Sequence, residues 1–308
     1  MIDKKKEHSG TYIDLFSGCG GLSLGLGNSG WNGVFAVEKD PMAFNTFKHN
    51  ILDGDSSHFT WPSWLLQEST TIQDLLINHI RELSELRGTI DLIAGGPPCQ
   101  GFSLAGMRNA DDPRNQLSQQ YTEMVEIIQP KFILLENVRG FNTAFNNSNG
   151  TVKKQPQSEI VKEHLENLGY KIFHNYVSAD DFGVPQRRTR FIMIGIRKDI
   201  FNSEMDPFET LEEIRPLFLQ QKGFPDRAIT AKEAIKDLET RRYGAKLIKH
   251  SGSKKSEFKK LDYKAPKTLT PYQAHVRKGL NGAKPNSLRL ARHRQSTIEK
   301  FELIQAIS

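Results

Sequence analysis

Short apolar runs alternate with helical patterns along the first two hundred residues, and this alternation is the feature that most constrains the fold. Six runs have the composition of strands, at residues 11–16, 33–37, 90–94, 131–135, 170–179 and 191–196. The first four are each followed by a turn and then by residues with helical spacing, whereas the last two follow one another as a hairpin. We therefore predict an α/β fold, with a doubly wound, mostly parallel sheet that has an antiparallel edge.

The length and composition indicate an ordinary globular chain. Its 308 residues, 37% hydrophobic and 25% charged, suffice for one large α/β domain with an appendage. No apolar run approaches the roughly 18 residues that span a bilayer, and the first residues lack the apolar segment of a secretory signal. We expect a cytoplasmic protein. Its two cysteines, Cys19 and Cys99, are too few and too far apart for a disulfide framework or a zinc cluster, so no metal is expected.

The charge is distributed unevenly. Residues 241–308 contain 17 Lys and Arg against 4 Asp and Glu, which leaves 25 against 32 in residues 1–240. Apolar periodicity thins from residue 201, and residues 241–284 have too few large aliphatic side chains for a packed core of their own. We place the domain boundary at residue 240.

A basic segment attracts polyanions, of which nucleic acid is the commonest inside cells, and a solvated tail without a partner is the alternative.

A reactive cysteine is indicated by the stretch Gly95-Gly96-Pro97-Pro98-Cys99. It follows a buried strand, and its two prolines fix the backbone just before the thiol. Open α/β sheets bind their ligands at the carboxyl ends of strands, so the turn places the side chain of Cys99 where chemistry is expected. The alternative is a free cysteine that only fills space in the core.

A nucleotide site is indicated by the first glycine turn. Ser17-Gly18-Cys19-Gly20-Gly21 joins the first strand to a helix, and Glu38 lies 18 residues beyond Gly20, at the end of the second strand. Dinucleotide folds bind the ribose hydroxyls with an acidic residue at about this distance from the glycines. The alternative is a carboxylate that faces solvent at the end of a strand.

Two further groups of polar residues flank strands of the same predicted sheet. Glu136 and Asn137 end the strand at residues 131–135, and Glu136 would lie beside Cys99 if the two strands are neighbours. Gln186-Arg187-Arg188-Thr189-Arg190 precedes the last strand. These arginines could form a solvated face, but the Pro-Gln turn before them favours contact with a phosphate or a base. A polar loop at residues 106–115 could close over a substrate.

Four stretches, in this order, resemble the motifs of the C5-cytosine DNA methyltransferase family. They are Asp14-Leu15-Phe16-Ser17-Gly18-Cys19-Gly20-Gly21, Gly95-Gly96-Pro97-Pro98-Cys99-Gln100-Gly101-Phe102-Ser103, Glu136-Asn137-Val138 and Gln186-Arg187-Arg188-Thr189-Arg190. The resemblance covers residues 11–240, and extends weakly to residue 308. It implies a Rossmann-like methyltransferase fold and assigns residues 1–240 to a catalytic domain that binds S-adenosylmethionine.

The resemblance implies a set of cofactor contacts. The adenosine of S-adenosylmethionine should lie over the glycine turn, with Glu38 on the ribose, and S-adenosylhomocysteine should be the product. The family usually has an acidic residue before an isoleucine at the adenine, where this chain has Thr71-Ile72. The implied cofactor-binding residues are Phe16, Gly18, Cys19, Gly20, Gly21, Glu38, Ile72, Pro98 and Leu117.

The resemblance also implies a mechanism on double-stranded DNA. Cys99 would add to C6 of a flipped cytosine, and Glu136 would hold and protonate N3. Arg188 and Arg190 would fix the carbonyl of the base and the surroundings of the thiol, where positive charge favours the thiolate. The implied substrate-binding residues are Gln100, Ser103, Asn137 and Gln186. A restriction-modification setting is expected.

The family pattern continues with a target-recognition region and two further motifs that are not found in these 308 residues. The resemblance therefore implies the catalytic part of an enzyme, completed by a missing region or by a second polypeptide, that alone binds the cofactor weakly and methylates little or nothing. Two alternatives remain open: a transfer RNA cytosine methyltransferase of the same fold, and a catalytically silent DNA-binding subunit. A dehydrogenase would share the first glycine turn but would leave the Pro-Pro-Cys turn unexplained.

Overall fold

The computed structural model describes residues 10–54, 57–98, 116–146, 153–200, 205–238, 247–249, 259–261, 263, 266–279, 288, 290–291 and 293–307. The chain divides into two compact units. The first comprises Met1–Ser178 and Arg188–Ile214, and the second comprises Ala179–Arg187 and Arg215–Ser308. The boundary at residue 240 that the charge distribution suggested thus lies inside the second unit. The assignment of catalysis to residues 1–240 stays a prediction.

A six-stranded sheet forms the centre of the first unit, in the order β2-β1-β3-β4-β8-β7. Its strands are β1 (Gly10–Leu15), β2 (Trp31–Val37), β3 (Leu92–Gly95), β4 (Phe132–Asn137), β7 (Tyr170–Ser178) and β8 (Thr189–Arg197). The first four in this order run parallel to one another, whereas β8 is antiparallel to both β4 and β7. The predicted doubly wound sheet with an antiparallel edge is confirmed.

The helices of the first unit follow the parallel strands. They are α1 (Gly21–Asn28), α2 (Pro41–Phe47), α3 (Ile72–Asn78), α4 (Ile80–Glu85), α5 (Gln116–Ile128) and α6 (Gln157–Asn167), and a short ribbon of β5 (Phe145–Asn146) and β6 (Lys153–Lys154) precedes α6. Within the described part of the chain, no helix is both long enough and apolar enough to cross a membrane.

Local sequence explains where two of these helices begin. The side chain of Asp40 caps α2 by accepting from the backbone N–H groups of Met42 and Ala43, and Pro41 occupies the first helical position. A capping box between Thr71 and Asp74 begins α3.

The helical periodicity of residues 72–86 is confirmed, but these residues form two helices and not a single one. The backbone leaves helical geometry at His79, with φ of −133° and ψ of 23°, so α3 ends there and α4 begins at the next residue. Leu75 of α3 and Leu83 of α4 are both buried in the main core. The break thus lets each short helix bury its own apolar side chain.

The core lies on both faces of the parallel strands. Ile13, Leu15 and Ile93 belong to the main cluster on one face, whereas the alternating residues Tyr12, Leu92 and Ala94 form a separate buried cluster on the other, as expected for strands covered by helices on each side. Tyr121 of α5 is equally buried, and its hydroxyl donates to the carbonyl oxygens of Ile93 and Leu134 at 3.1 and 3.2 Å. This contact holds α5 against the junction of β3 and β4.

The second unit contains a buried polar network. The unit boundary falls within α7 (Pro207–Lys222). The other elements of the second unit are α8 (Ala231–Ile235), β9 (Leu247–Lys249), β10 (Lys259–Leu261), α9 (Pro271–Val276) and α10 (Gln295–Ile307). The carboxylate of Asp237, 5% exposed, accepts from the Tyr263 hydroxyl, the Gln273 amide and the Arg277 guanidinium. Residues 241–284 therefore contribute to a packed centre together with residues before them, which their own composition did not suggest.

Candidate active site

The turn after β1 adopts the left-handed backbone region at every second residue. Phe16, Gly18 and Gly20 have φ of 62°, 56° and 92°. Gly20 is also sterically confined, because a Cβ atom there would lie 2.3 Å from Cδ1 of Ile51 and 2.8 Å from Cδ2 of Phe47. Only glycine satisfies both conditions, so the glycine spacing in the sequence reflects the shape of this turn.

The carboxylate of Glu38 is built into the same turn. Its Oε2 accepts from the backbone N–H of Gly18 at 2.9 Å, and its Oε1 accepts from that of Asp40 at 2.8 Å. The backbone N–H of Ser17 also donates to the carbonyl oxygen of Val37 at 3.0 Å. The end of β2 is therefore tied to the glycine turn, and Glu38 is half-buried, not a carboxylate extended into solvent.

A pocket lies beside this turn, at the carboxyl ends of the parallel strands. Its lining, which defines the Glu38 pocket, consists of Phe16, Val37, Glu38, Lys39, Thr70, Thr71, Ile72, Pro98, Leu117 and Gln120. Five of the nine predicted cofactor-binding residues are among them. Of the others, Gly18 contacts Glu38, Gly20 is buried, Cys19 is exposed and Gly21 begins α1.

The chemistry of the Glu38 pocket suits an adenosine group. Phe16, Ile72 and Leu117 offer apolar surface to a flat base, and a carboxylate is a good acceptor for ribose hydroxyls. The hydroxyl of Thr71 is engaged in the capping box, donating to Asp74 Oδ2 at 2.6 Å and accepting from its backbone N–H at 3.0 Å. This threonine is thus occupied at the place where the family pattern has an acid.

A second cluster forms where β3 and β4 end side by side. These strands pair in parallel, as the proximity of Glu136 to the Pro-Pro-Cys turn requires. The buried amide of Asn137 donates from Nδ2 to the carbonyl oxygen of Pro97 at 3.0 Å. A Cβ atom at Gly96 would lie 3.1 Å from Glu136 Oε2. The turn that leads to Cys99 and the carboxylate of Glu136 are therefore in direct proximity, whereas a role of Asn137 toward substrate stays a prediction.

Arg190 is paired with Glu136. Its Nε lies 2.7 Å from Glu136 Oε1, and the two side chains are 20% and 38% exposed. The antiparallel register of β4 and β8 sets Glu136 opposite Ile192, so Arg190 lies diagonally across from Glu136 on the same face. An arginine thus orients the carboxylate beside the Pro-Pro-Cys turn.

The other predicted catalytic and substrate-binding residues are not assigned to this cluster. Cys99, Gln100 and Ser103 lie outside the described residues, as does the polar loop at residues 106–115. Arg188 is exposed just before β8. Gln186 is exposed and belongs to the second unit. Their roles stay predictions.

Sequence reasoning missed a buried carboxyl beneath the glycine turn. Asp14, 1% exposed, accepts from the Ser23 hydroxyl at Oδ2, 2.6 Å away, and its buried Oδ1 has no hydrogen-bond partner among the described residues. Burial raises the pKa of Asp14 to about 7, opposed by the hydrogen bond from Ser23 and reinforced by the charge of Glu38. An acid inside an apolar strand was the available signal.

Sequence reasoning also missed Val37, Lys39, Thr70 and Gln120 of the Glu38 pocket. Gln120 stands three residues after Leu117 on α5, so helical spacing alone puts the two on one face. That spacing could have identified it.

Comparison with known proteins agrees with this geometry. A family model described as C-5 cytosine-specific DNA methylase matches residues 10–306. The chain belongs to this family. The resemblance inferred from the four ordered motifs is thereby confirmed.

Similar proteins of the family include Type II methyltransferases. M1.HphI of Haemophilus parahaemolyticus is 40% identical over 193 residues, which is 61% of this chain and 46% of that protein. M.AquIA of Picosynechococcus is 30% identical over 230 residues, 65% of this chain and 86% of that protein. The chain spans less than half the length of the first three curated relatives it matches.

A solved structure also resembles the chain. It is described as a DNA modification methyltransferase encoded within an E. coli prophage, with 29% identity and a TM-score of 0.53 over 84% of this chain and 62% of that one. The Rossmann-like methyltransferase fold expected from the motifs is confirmed.

Proposed function

We propose that this member of the C-5 cytosine-specific DNA methylase family transfers a methyl group from S-adenosylmethionine to C5 of cytosine in double-stranded DNA, in a restriction-modification setting. The names of the Type II methyltransferases to which it is similar support the setting. The proposal includes a covalent adduct between Cys99 and C6 of a base that has left the duplex.

The observation that carries this proposal is the position of Glu136. Its carboxylate is held by Arg190 at 2.7 Å and lies against Gly96, three residues before Cys99. A carboxyl group and a thiol at neighbouring strand ends are the two groups that attack on C6 and stabilisation at N3 of one pyrimidine require.

The Glu38 pocket would bind the cofactor. Glu38 would accept from the ribose hydroxyls, and the side chains of Ile72 and Leu117 would pack against the base. When bound, S-adenosylmethionine supplies a methyl group on a sulfonium and departs as S-adenosylhomocysteine. No metal takes part in the proposed reaction.

Cys99 and Glu136 would activate a carbon that is a poor nucleophile by itself. Addition of the Cys99 sulfur to C6 moves the C5–C6 electron pair onto C5, while Glu136 donates a proton to N3 and so limits the charge that develops on the ring. Arg190 would hold Glu136 in place for this transfer. After methylation, a base removes the C5 proton, Glu136 recovers the N3 proton and the electron pair expels the Cys99 thiolate.

The substrate must present both faces of the cytosine ring, which base stacking in a duplex prevents. We therefore include flipping of the target base in the proposal. Arg188, Gln100, Ser103, Asn137 and Gln186 would contact the flipped nucleotide. Action on genomic DNA implies a cytoplasmic location.

Target recognition would draw on residues outside the matched segment, in the same or in a second polypeptide. The first three curated relatives that the chain matches are more than twice as long as the segments they share with it. This difference in length supports this part of the proposal.

Covalent trapping on a duplex that contains 5-fluorocytosine tests the proposal. Fluorine at C5 cannot leave as a proton does, so the enzyme should remain attached to DNA through Cys99 when S-adenosylmethionine is present. The Cys99→Ala variant should give no adduct. The protein is assayed alone and with a polypeptide that carries a target-recognition region.

The possible outcomes separate the alternatives. An adduct on DNA that disappears in Cys99→Ala supports the proposal. An adduct only on transfer RNA would establish the RNA enzyme instead. DNA binding without an adduct under either condition would overturn methyl transfer and favour a silent binding subunit.

A further inference from the structure

One side-chain amide lines the Glu38 pocket beside its apolar walls. Gln120 lies on α5 three residues after Leu117, and both residues line the pocket. It is half-buried. An amide in this position can hydrogen-bond the edge of a base whose faces contact the apolar side chains.

Two other polar side chains of the pocket, Glu38 and Thr71, already make hydrogen bonds within the protein. The two oxygens of Glu38 accept from the backbone N–H groups of Gly18 and Asp40. The hydroxyl of Thr71 exchanges hydrogen bonds with Asp74 in the capping box of α3. The single hydroxyl hydrogen of Thr71 is therefore donated to the Asp74 carboxylate. The Thr71 oxygen in turn accepts from the backbone N–H of Asp74.

Gln120 is held in one orientation by a neighbour on α3. Its Nε2 donates to Oε1 of Gln73 at 3.0 Å. This bond assigns the amino side of the Gln120 amide to Gln73. Its carbonyl oxygen, Oε1, has no hydrogen-bond partner among the residues that the structure describes, so it can accept a hydrogen bond from a ligand.

We propose that Gln120 determines the base specificity of the cofactor site, by accepting a hydrogen bond at Oε1 from the exocyclic amino group of adenine, and that Gln73 is the positioning residue that keeps this oxygen available. This inference rests on the proposed use of S-adenosylmethionine. It gives the adenine amino group an acceptor in a chain that has Thr71 where the family pattern has an acid.

Oε1 of Gln120 should select ligands by the chemical group at position 6 of the purine. An amino group at position 6 of the purine donates a hydrogen bond to Oε1, whereas a hydrogen atom at that position leaves Oε1 without a partner. A carbonyl oxygen at that position is an acceptor facing an acceptor, so the two oxygens repel each other. A Gln120 amide that rotated to favour a carbonyl would keep its bond to Gln73 only if the Gln73 amide rotated as well. Adenine should therefore bind better than purine, and hypoxanthine should bind worst.

Calorimetric binding of three ligands tests the inference: S-adenosylhomocysteine and its analogues with purine or hypoxanthine in place of adenine. The unmodified protein should bind the adenine ligand about twofold to tenfold more tightly than the purine analogue, the range of one net hydrogen bond. Gln120→Leu should bind both equally. Gln120→Glu, which keeps an acceptor oxygen, should retain the preference.

Two further variants separate orientation from general damage. Gln73→Ala should reduce the discrimination against hypoxanthine, because the Gln120 amide becomes free to rotate. Gln119→Leu is the matched control, since Gln119 is an exposed neighbour on α5, and it should keep the full preference.

The outcomes distinguish the two proposals. Failure of the unmodified protein to bind S-adenosylhomocysteine, both alone and with a polypeptide that carries a target-recognition region, would overturn the proposed function and this inference together. Tight binding of S-adenosylhomocysteine with equal affinity for all three ligands would overturn the inference and leave the proposed function intact. A preference that survives in Gln120→Leu would also overturn it, and the comparison of ligands in the unmodified protein remains decisive even where a variant fails to fold.

Discussion

Arg190 Nε lies 2.7 Å from Glu136 Oε1, across the antiparallel junction of β8 and β4. The two residues are 54 positions apart in the sequence. Their pairing fixes a carboxylate beside the turn that leads to Cys99. The proposed chemistry depends on this carboxylate being held in a defined position, because small displacements of a catalytic group slow a reaction strongly.

Loss of the guanidinium should therefore slow methyl transfer. Arg190→Ala is expected to lower the rate by about 100-fold, and Arg190→Lys by less, while the affinity for S-adenosylhomocysteine stays unchanged because Arg190 does not line the Glu38 pocket. Transfer of a labelled methyl group to duplex DNA, in the presence of a polypeptide that carries a target-recognition region, measures the rate. Arg81→Ala, which removes an exposed surface ion pair on α4, is the control. A normal rate in Arg190→Ala would contradict this role.

Removal of the Glu38 carboxylate should weaken cofactor binding. Glu38→Ala removes an acceptor for the ribose hydroxyls and also the partner of the Gly18 and Asp40 N–H groups. A loss of about tenfold or more in affinity for S-adenosylhomocysteine is expected from hydrogen bonds to a charged group. Calorimetry measures it, with Glu82→Ala, at a half-buried position on α4, as control. Equal affinity in both variants would argue against the ribose contact.

Alanine at Gly20 should destabilise the fold. A Cβ atom there would overlap Ile51 and Phe47, at a residue with φ of 92°. We expect Gly20→Ala to lower the free energy of unfolding by about 2 kcal/mol or more. Gly25→Ala on α1 is the matched control, because a Cβ atom at Gly25 meets nothing within 4 Å, and it should stabilise slightly. Denaturant unfolding compares the two, and similar values for both would contradict the argument.

The buried carboxyl of Asp14 should make stability depend on pH. Burial raises the pKa of Asp14 to about 7, whereas an aspartate in the unfolded chain titrates near 4. The folded state therefore holds this proton over an interval in which the unfolded chain has released it. The corresponding stabilisation is complete below about pH 4 and is lost as the pH rises to about 7.

Asp14→Asn removes this dependence. Relative to that variant, the free energy of unfolding of the unmodified protein should fall by about 3 kcal/mol between about pH 5 and pH 8. Unfolding in urea at several pH values measures the difference. Both proteins contain His58, whose pKa is lowered by burial, so its titration cancels. A difference that is constant with pH would show that Asp14 is ionised in the folded state throughout.

The polar network of the second unit should be sensitive to loss of one charge. Asp237→Asn removes the anion that faces Arg277 and accepts from Tyr263 and Gln273. A destabilisation of about 2–4 kcal/mol is expected, because the guanidinium loses its buried partner. Asp226→Asn breaks the exposed pair with Arg215 and should cost less than about 1 kcal/mol. Proteolysis of residues 205–279 detects the difference, and equal resistance would contradict it.

Local rules explain how much could be predicted from the sequence. Strand composition, helical spacing, caps and glycine turns depend on neighbouring residues, so the α/β order, α5 at Gln116–Ile128 and the turn at Phe16–Gly21 were all recognisable. The break at His79 was not recognised, because the apolar pattern of residues 72–86 is regular across it and tertiary burial overrides that pattern. The helix α7 was not recognised, because its apolar pattern is weak.

Sequence by itself determined the family, the fold class and the residue types of the site. Only the tertiary structure decided which of them meet: the parallel pairing of β3 with β4 puts Pro97 beside Asn137, and the register of β8 selects Arg190 for Glu136. It also placed Gln120 in the Glu38 pocket and buried Asp14. The physical reason is that strand register and helix packing are set by burial over the whole unit, which no local pattern encodes.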